Sequence, residues 1–200
     1  SCTIDDKSGW GNMTNLESAI LYSCILKGFG DCSRLDKLDY VRLERNGCNS
    51  DDAANFSGLD TLNHDIQVAI YFDVRCKVNQ ECIDSLENAN IHQLDISGNQ
   101  NLNLSIIKNL NIISFISGGE IDWNGLQEMP NLKKINIRSL NISDLTPVAS
   151  LTNIEELDIS NTNVTDLSPL KDMPNLKKLI AENCNIDDWS PVSDIDEVIK

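Results

Sequence analysis

Seven cysteines and two histidines have the widest chemical reach of any side chains in this 200-residue chain. The cysteines stand at Cys2, Cys24, Cys32, Cys48, Cys76, Cys82 and Cys184, so six crowd into the first 82 residues. No Cys-x-x-Cys occurs, the spacing that suits zinc or a thioredoxin-like exchange centre. Front-loaded cysteines point instead to disulfides stapling one end of a secreted or periplasmic protein. The alternative is thiols packed as small hydrophobes. Cys76 with Cys82 is the most local pairing; Cys24 with Cys32 would tie segment 15–27 to the loop after it, and Cys2 with Cys48 would tie down the N-terminal tail. Cys184, far along the chain, is expected as a buried free thiol. Cys2, preceded by Ser1, is also a place for a lipid anchor. No P-loop, His-Glu-x-x-His or Gly-x-Ser-x-Gly is present, so the chain does not read as an enzyme.

Composition narrows the partners. Sixteen basic residues against thirty-one acidic ones leave a formal charge of −15. A phosphate backbone needs clustered basic charge, so nucleic acid is excluded as a partner, and adsorption to an anionic membrane is disfavoured. With 40% hydrophobic residues but only 5% aromatic, a core must form and must be mostly aliphatic. No run reaches the roughly 18 apolar residues of a transmembrane helix. No basic segment followed by an apolar one opens the chain, so an export signal is expected to have been removed already.

The elements that would position these residues come from self-similarity. Asn131-Leu-Lys-Lys-Ile-Asn-Ile recurs as Asn153-Ile-Glu-Glu-Leu-Asp-Ile and as Asn175-Leu-Lys-Lys-Leu-Ile-Ala, at steps of 22. Each copy runs on to an Asp-[Leu/Trp]-[Ser/Thr]-Pro segment at Asp144, Asp166 and Asp188. Apolar residues alternate with polar ones at the start of each copy, which predicts a short strand. Pro147, Pro169 and Pro191 set the return turn and cannot sit in a central strand. One coil alone cannot bury its apolar edge, so the copies must stack.

These residues resemble the 22-residue leucine-rich repeats of bacterial internalin-like proteins, the Asp-[Leu/Trp]-[Ser/Thr]-Pro segment most specifically. The resemblance implies an α/β leucine-rich repeat solenoid, a curved parallel sheet that binds a protein partner on its concave face and serves in adhesion or virulence. Its usual repeat asparagine is replaced here by Leu140, Thr162 and Cys184. An intracellular regulatory scaffold or injected effector with reduced thiols is the competing reading.

Extended backwards, the frame places about seven coils over 38–200, starting near residues 38, 63, 91, 110, 132, 154 and 176 and clearest over 91–195, with a further strand at Val198. Residues 1–37 are expected to be a cysteine-containing N-terminal cap. Its apolar residues at 16, 20, 21, 24 and 25 have helical spacing, so a helix is predicted at about 15–27, ended by Gly28 and Gly30.

The same frame turns a set of side chains outward as the partner-binding face: Tyr40, Arg42, His64, His92, Ile112, Ile116, Lys133, Lys134, Arg138, Glu155, Glu156, Asp158, Lys177 and Ile180. Exposed Ile112 and Ile116, with Tyr40 and Ile70, would make an apolar contact area. Lys133–Glu155–Lys177 and Lys134–Glu156–Lys178 alternate in sign down the stack, which reads as a self-neutralising ladder in preference to a charged binding patch. His64 and His92, beside Asp65 and Asp95, are read as a surface pair and not as a metal site; no metal or cofactor is expected.

Overall fold

Ile135 and Ile137 alternate with polar neighbours, and the chain at that point runs straight for three residues before turning. This happens once per coil. The computed structural model describes residues 3–5, 9–44, 54–62, 66–72, 80–86, 88–95, 111–116 and 123–200. Its strands are β1 (Thr3–Asp5), β2 (Ser18–Tyr22), β3 (Ile25–Lys27), β4 (Tyr40–Glu44), β5 (Gln67–Tyr71), β6 (Asn90–Asp95), β7 (Asn111–Ile116), β8 (Lys134–Asn136), β9 (Glu156–Asp158), β10 (Lys178–Ile180) and β11 (Glu197–Ile199). Two short helices, α1 (Gln80–Asp84) and α2 (Trp123–Gln127), lie between them.

All strands pair in parallel. Nine form one sheet in the order β11-β10-β9-β8-β7-β6-β5-β4-β2, and β1 pairs with β3 in a separate two-stranded sheet. At about 4.8 Å per strand the large sheet is roughly 40 Å across. One inward row, from Leu21 through Leu43, Ile70, Leu94, Phe115, Ile135, Leu157 and Leu179 to Val198, crosses every strand in register. The members from Leu43 to Leu179 are buried. Behind it Leu145, Val148, Val164, Leu167 and Leu170 complete an aliphatic core. Aromatic packing is confined to the first coils, where Trp10 meets Phe29 edge-on at 5.3 Å and Phe56 meets Phe72 at 6.1 Å.

The proline segments are turn devices. The Oδ1 atoms of Asp144, Asp166 and Asp188 accept the backbone N–H of the residue two further on, at 2.8, 2.8 and 2.9 Å. Bonds from that same residue hold all three carboxyls below the usual aspartate range. Each turn feeds a single turn of 3₁₀ helix at Val148–Ser150, Ser168–Leu170 or Ser190–Val192. Ser139, Asn161 and Asn183, also 22 apart, take left-handed φ values of 63°, 56° and 57°. Asparagine tolerates that conformation better than most residues. At the next position Thr162 Oγ1 donates to the Ile159 carbonyl at 2.7 Å, and Cys184 Sγ reaches the same carbonyl at 3.1 Å. Leu140 offers no such bond and is buried instead.

Two expectations are corrected. The helix at about 15–27 is not formed; that stretch is β2 and β3. Ser23 has φ 53°, which breaks any helix there, and its N–H is spent on the Glu44 carbonyl in β4. Residues 18–22 therefore extend the sheet by one strand beyond the seven coils counted, just as β11 at Val198 extends it at the other end. The second correction is the frame near residue 110. Phe115, not Ile113, pairs with Ile135, and Ile112 pairs with Ile91. Ile112 is wholly buried, as is Ile70. Both are core residues, so the outward apolar area expected of them does not form.

The expected disulfides at Cys24, Cys32 and Cys82 do not form either. All three, with Cys184, are thiols. Cys24, Cys32 and Cys82 pack inside the first coils as small apolar groups. The Cys24 and Cys32 thiols turn to the nearby carbonyls of Tyr22 and Gly30, at 3.6 and 3.8 Å. Cys184 is half-buried. Cys2, Cys48 and Cys76 lie outside the described residues, as does His64.

Candidate functional site

Period-two alternation sends the other half of each strand to the outer face of the sheet. Two rows run there side by side. One reads Tyr22, Glu44, Tyr71, Asp95, Ile116, Asn136, Asp158, Ile180, Ile199; its neighbour reads Ile20, Arg42, Ala69, Gln93, Ser114, Lys134, Glu156, Lys178, Glu197. The two ends of this face differ in chemistry.

Charge dominates the last four strands, and it is paired. Lys133 Nζ lies 2.7 Å from Glu155, whose other oxygen meets Lys177 at 2.9 Å. Lys134 meets Glu156 at 2.9 Å, Lys178 meets Glu197 at 3.0 Å, and Arg138 reaches Glu182 at 3.6 Å. Hydrogen bonds from Lys133 and Lys177 pull the Glu155 carboxyl down to about 2. These are exposed pairs of the kind that fix register and add little stability each. Asp158 is only 9% exposed; its Oδ1 accepts the Ser160 N–H at 2.9 Å, so it holds a turn and presents little to a partner. Ile116 and Ile180 are half-buried on the outer row.

Aromatic character dominates the first three strands. The chain has three tyrosines, and Tyr22, Tyr40 and Tyr71 all stand on this face of β2, β4 and β5. The Arg42 guanidinium lies 4.4 Å from the centre of the Tyr71 ring and pairs with Glu44 at 3.1 Å. Gln93 Nε2 donates to the Tyr71 hydroxyl at 3.2 Å. Burial holds the Tyr71 phenol above its usual pKa, against the opposing pull of Arg42. Tyr40 and Arg42 were expected here from sequence. Tyr22 and Tyr71 were not: the first fell inside the expected helix, and the second in the loosest copy of the repeat.

The chemistry of catalysis is thin among the described residues. Burial and the neighbouring Asp31 charge push Cys32 up to about 11, and burial with Glu81 pushes Cys82 up to about 12. Neither is a thiolate at neutral pH, which is the form that attacks or binds metal. No group of three or more His, Cys, Asp or Glu among those residues converges on a point where a metal ion could sit. His92 is half-buried on β6. A crevice between Leu126, Met129, Leu132 and Ile154 has a volume of about 50 Å³, room for a water or two. No helix among those residues is long and apolar enough to cross a membrane.

Comparison with known proteins agrees with the architecture. Residues 152–194 match the family of leucine rich repeats (2 copies). Among solved structures the chain is similar to an internalin (inlF) from Listeria monocytogenes, with 20% identity and a TM-score of 0.58 over 98% of this chain and 58% of that one. It is also similar to an internalin C2 (inlC2) from the same organism, with 20% identity and a TM-score of 0.56 over 91% of this chain and 79% of that one. The chain thus spans little more than half the length of the first. Among curated proteins none matches it in sequence.

Proposed function

Starting from a chain that has the internalin-like leucine-rich repeat fold, we propose that it is a non-enzymatic module that binds a protein partner through the outer face of its parallel sheet. The observation that carries this reading is the unequal face. Tyrosine and arginine dominate binding energy at protein interfaces, because they bring large, rigid, amphipathic surface at low entropic cost. Here Tyr40, Arg42 and Tyr71 stand together on neighbouring strands, and Arg42 is already held by Tyr71 and Glu44. A pre-ordered contact group loses less freedom on binding. The charged residues of the later coils already satisfy one another.

We place the docking site on β4 and β5, with Ile116 at its margin. Capture of partners from host or bacterial extracts on the immobilised chain, compared across variants, tests this. Tyr40→Ala and Tyr71→Ala should each weaken the captured complex by about 2 kcal/mol, roughly thirty-fold. Lys133→Glu, Arg138→Glu and Glu156→Lys should leave it nearly unchanged. Loss confined to the charge reversals would move the site to the later coils.

The module is read as secreted or displayed at the cell surface or in the periplasm, in an adhesion or virulence role, with a lipid anchor at Cys2 as one means of display. What supports this is the fold's likeness to internalins alone. A second reading, an intracellular scaffold or injected effector, draws on the reduced state of Cys24, Cys32 and Cys82. Thiol labelling of the denatured, unreduced protein should modify at least these three and Cys184. A single labelled cysteine would restore the disulfide staples and with them the extracellular argument.

A further inference from the structure

The sheet ends at β2, and that end is unlike the rest of the surface. Among the described residues the exposed large hydrophobic side chains are Met13, Ile20 and Tyr22, at 45, 65 and 53% exposure. All lie within ten residues of one another. The stretch 13–22 carries one charge, Glu17, in a chain of formal charge −15. Sheet edges are normally blunted by charge, proline or a bulge, because they present backbone groups to any passing strand. In β2 the sequence Ser-Ala-Ile-Leu-Tyr has neither charge nor proline, and it pairs with β4 without a bulge.

The pairing with β4 fixes which backbone groups look outward. Asp39 N–H donates to the Glu17 carbonyl and Ser23 N–H to the Glu44 carbonyl, so the odd-numbered residues of this stretch face β4. By alternation the N–H and C=O of Ile20 face away from the sheet. We propose that two copies of the chain join here, β2 edge to β2 edge, antiparallel about a two-fold axis through Ile20. Such a contact is isologous: each strand offers the other the same surface. Ile20 forms a hydrogen-bonded pair with its own copy, and Ser18 lies opposite Tyr22. Charge selects a second copy as the occupant. Two strongly acidic molecules repel wherever their carboxylates are apposed, and this end lets them meet with few carboxylates brought together.

Sedimentation equilibrium on the whole chain tests the dimer, and with it a position that the partner-binding reading does not use. Between about 1 and 100 µM, the range in which modest interfaces dissociate, the average mass should rise from 22.2 kDa towards twice that value. Ile20→Lys places like charges opposite each other on the axis and should raise the dissociation constant at least about tenfold. Ile20→Val should keep the dimer. Ile20 is exposed, so the circular dichroism of both variants should match the parent. Tyr40→Ala and Tyr71→Ala should leave the mass unchanged, which separates a failed dimer from a failed partner site. A parent that stays at 22.2 kDa throughout, or an Ile20→Lys variant as dimeric as the parent, overturns the proposal. So does a monomer whose β2 amides are protected from hydrogen exchange, since the edge would then be covered by the chain's own residues.

Discussion

Replacing Ile112 with alanine should cost about 3 to 4 kcal/mol of unfolding free energy, against about 1 kcal/mol or less for Ile116→Ala. Ile112 is fully enclosed, paired through its strand with Ile91 in the coil before, and surrounded by aliphatic neighbours fixed by their own coils. Removing its outer carbons leaves a cavity that a stacked sheet cannot collapse. Ile116 lies four residues on, in the outer row between Asp95 and Asn136, and is already half in water. Repeat arrays couple each coil to its neighbours, so a central defect also divides the array into two weakly linked halves. Guanidinium unfolding of the two variants should therefore show a lower midpoint and a broadened transition for Ile112→Ala only. Equal losses, or a larger loss at Ile116, would restore the unbroken 22-residue frame and put Ile112 back on the outer face.

That frame error shows where the sequence was legible. From residue 131 onward the strand, the aspartate turn and the proline step recur without insertion, so one coil predicts the next and β8 to β11 fall where the pattern puts them. The charge ladder was readable for the same reason: residues 22 apart are neighbours in space, and Lys133, Glu155 and Lys177 do meet. Between residues 38 and 116 the coils vary in length. Each apolar strand there offers two apolar pairs two residues apart, Val41 with Leu43 and Val68 with Ile70. A slip of two keeps the inward and outward faces and changes only the partner, so alternation cannot detect it. At Ile112 the ambiguity is worse, because Ile112, Ile113, Phe115 and Ile116 include apolar residues of both parities.

The N-terminal end was misread for a different reason. Leu16, Ile20, Leu21, Cys24 and Ile25 satisfy helical spacing, and a short apolar run cannot be assigned to helix or strand by period alone. Tertiary pairing decides it, since β4 needs a neighbour on that side to cover Val41 and Leu43. Two of the three tyrosines at the candidate site were lost to these two ambiguities. A usable signal was present all the same: each tyrosine stands next to, or two residues from, an aliphatic pair of the strand type.

The integrity of that end rests on one close approach. Gly58 has φ +101°, and a Cβ there would lie 2.1 Å from the Gly30 carbonyl oxygen and 2.9 Å from its nitrogen. The obstacle is backbone, and it is tied on both sides. Phe29 N–H donates to the Ser57 carbonyl at 2.7 Å, and Cys32 N–H donates to Thr61 Oγ1 at 2.7 Å. Thr61 Oγ1 in turn donates to the Gly58 carbonyl at 2.6 Å. Gly58→Ala must therefore strain its own backbone and break this clasp between the first two coils, at a cost of about 3 to 5 kcal/mol. Gly9→Ala is the control. Its φ is +74°, but the nearest atom to an added Cβ is 3.8 Å away, so only the left-handed conformation counts, about 1 kcal/mol. Hydrogen exchange should place the damage. In Gly58→Ala the amides of Phe29 and Cys32 lose protection, while those of Ile137 and Ile159, bonded between later coils, keep it. Because β4 and β5 rest on the loosened coils, partner capture should fall with them although no side chain of the docking site has been touched. Uniform loss of protection along the whole chain would mean that the coils unfold as one unit, and capture that survives the loosening would place the docking site on the later strands.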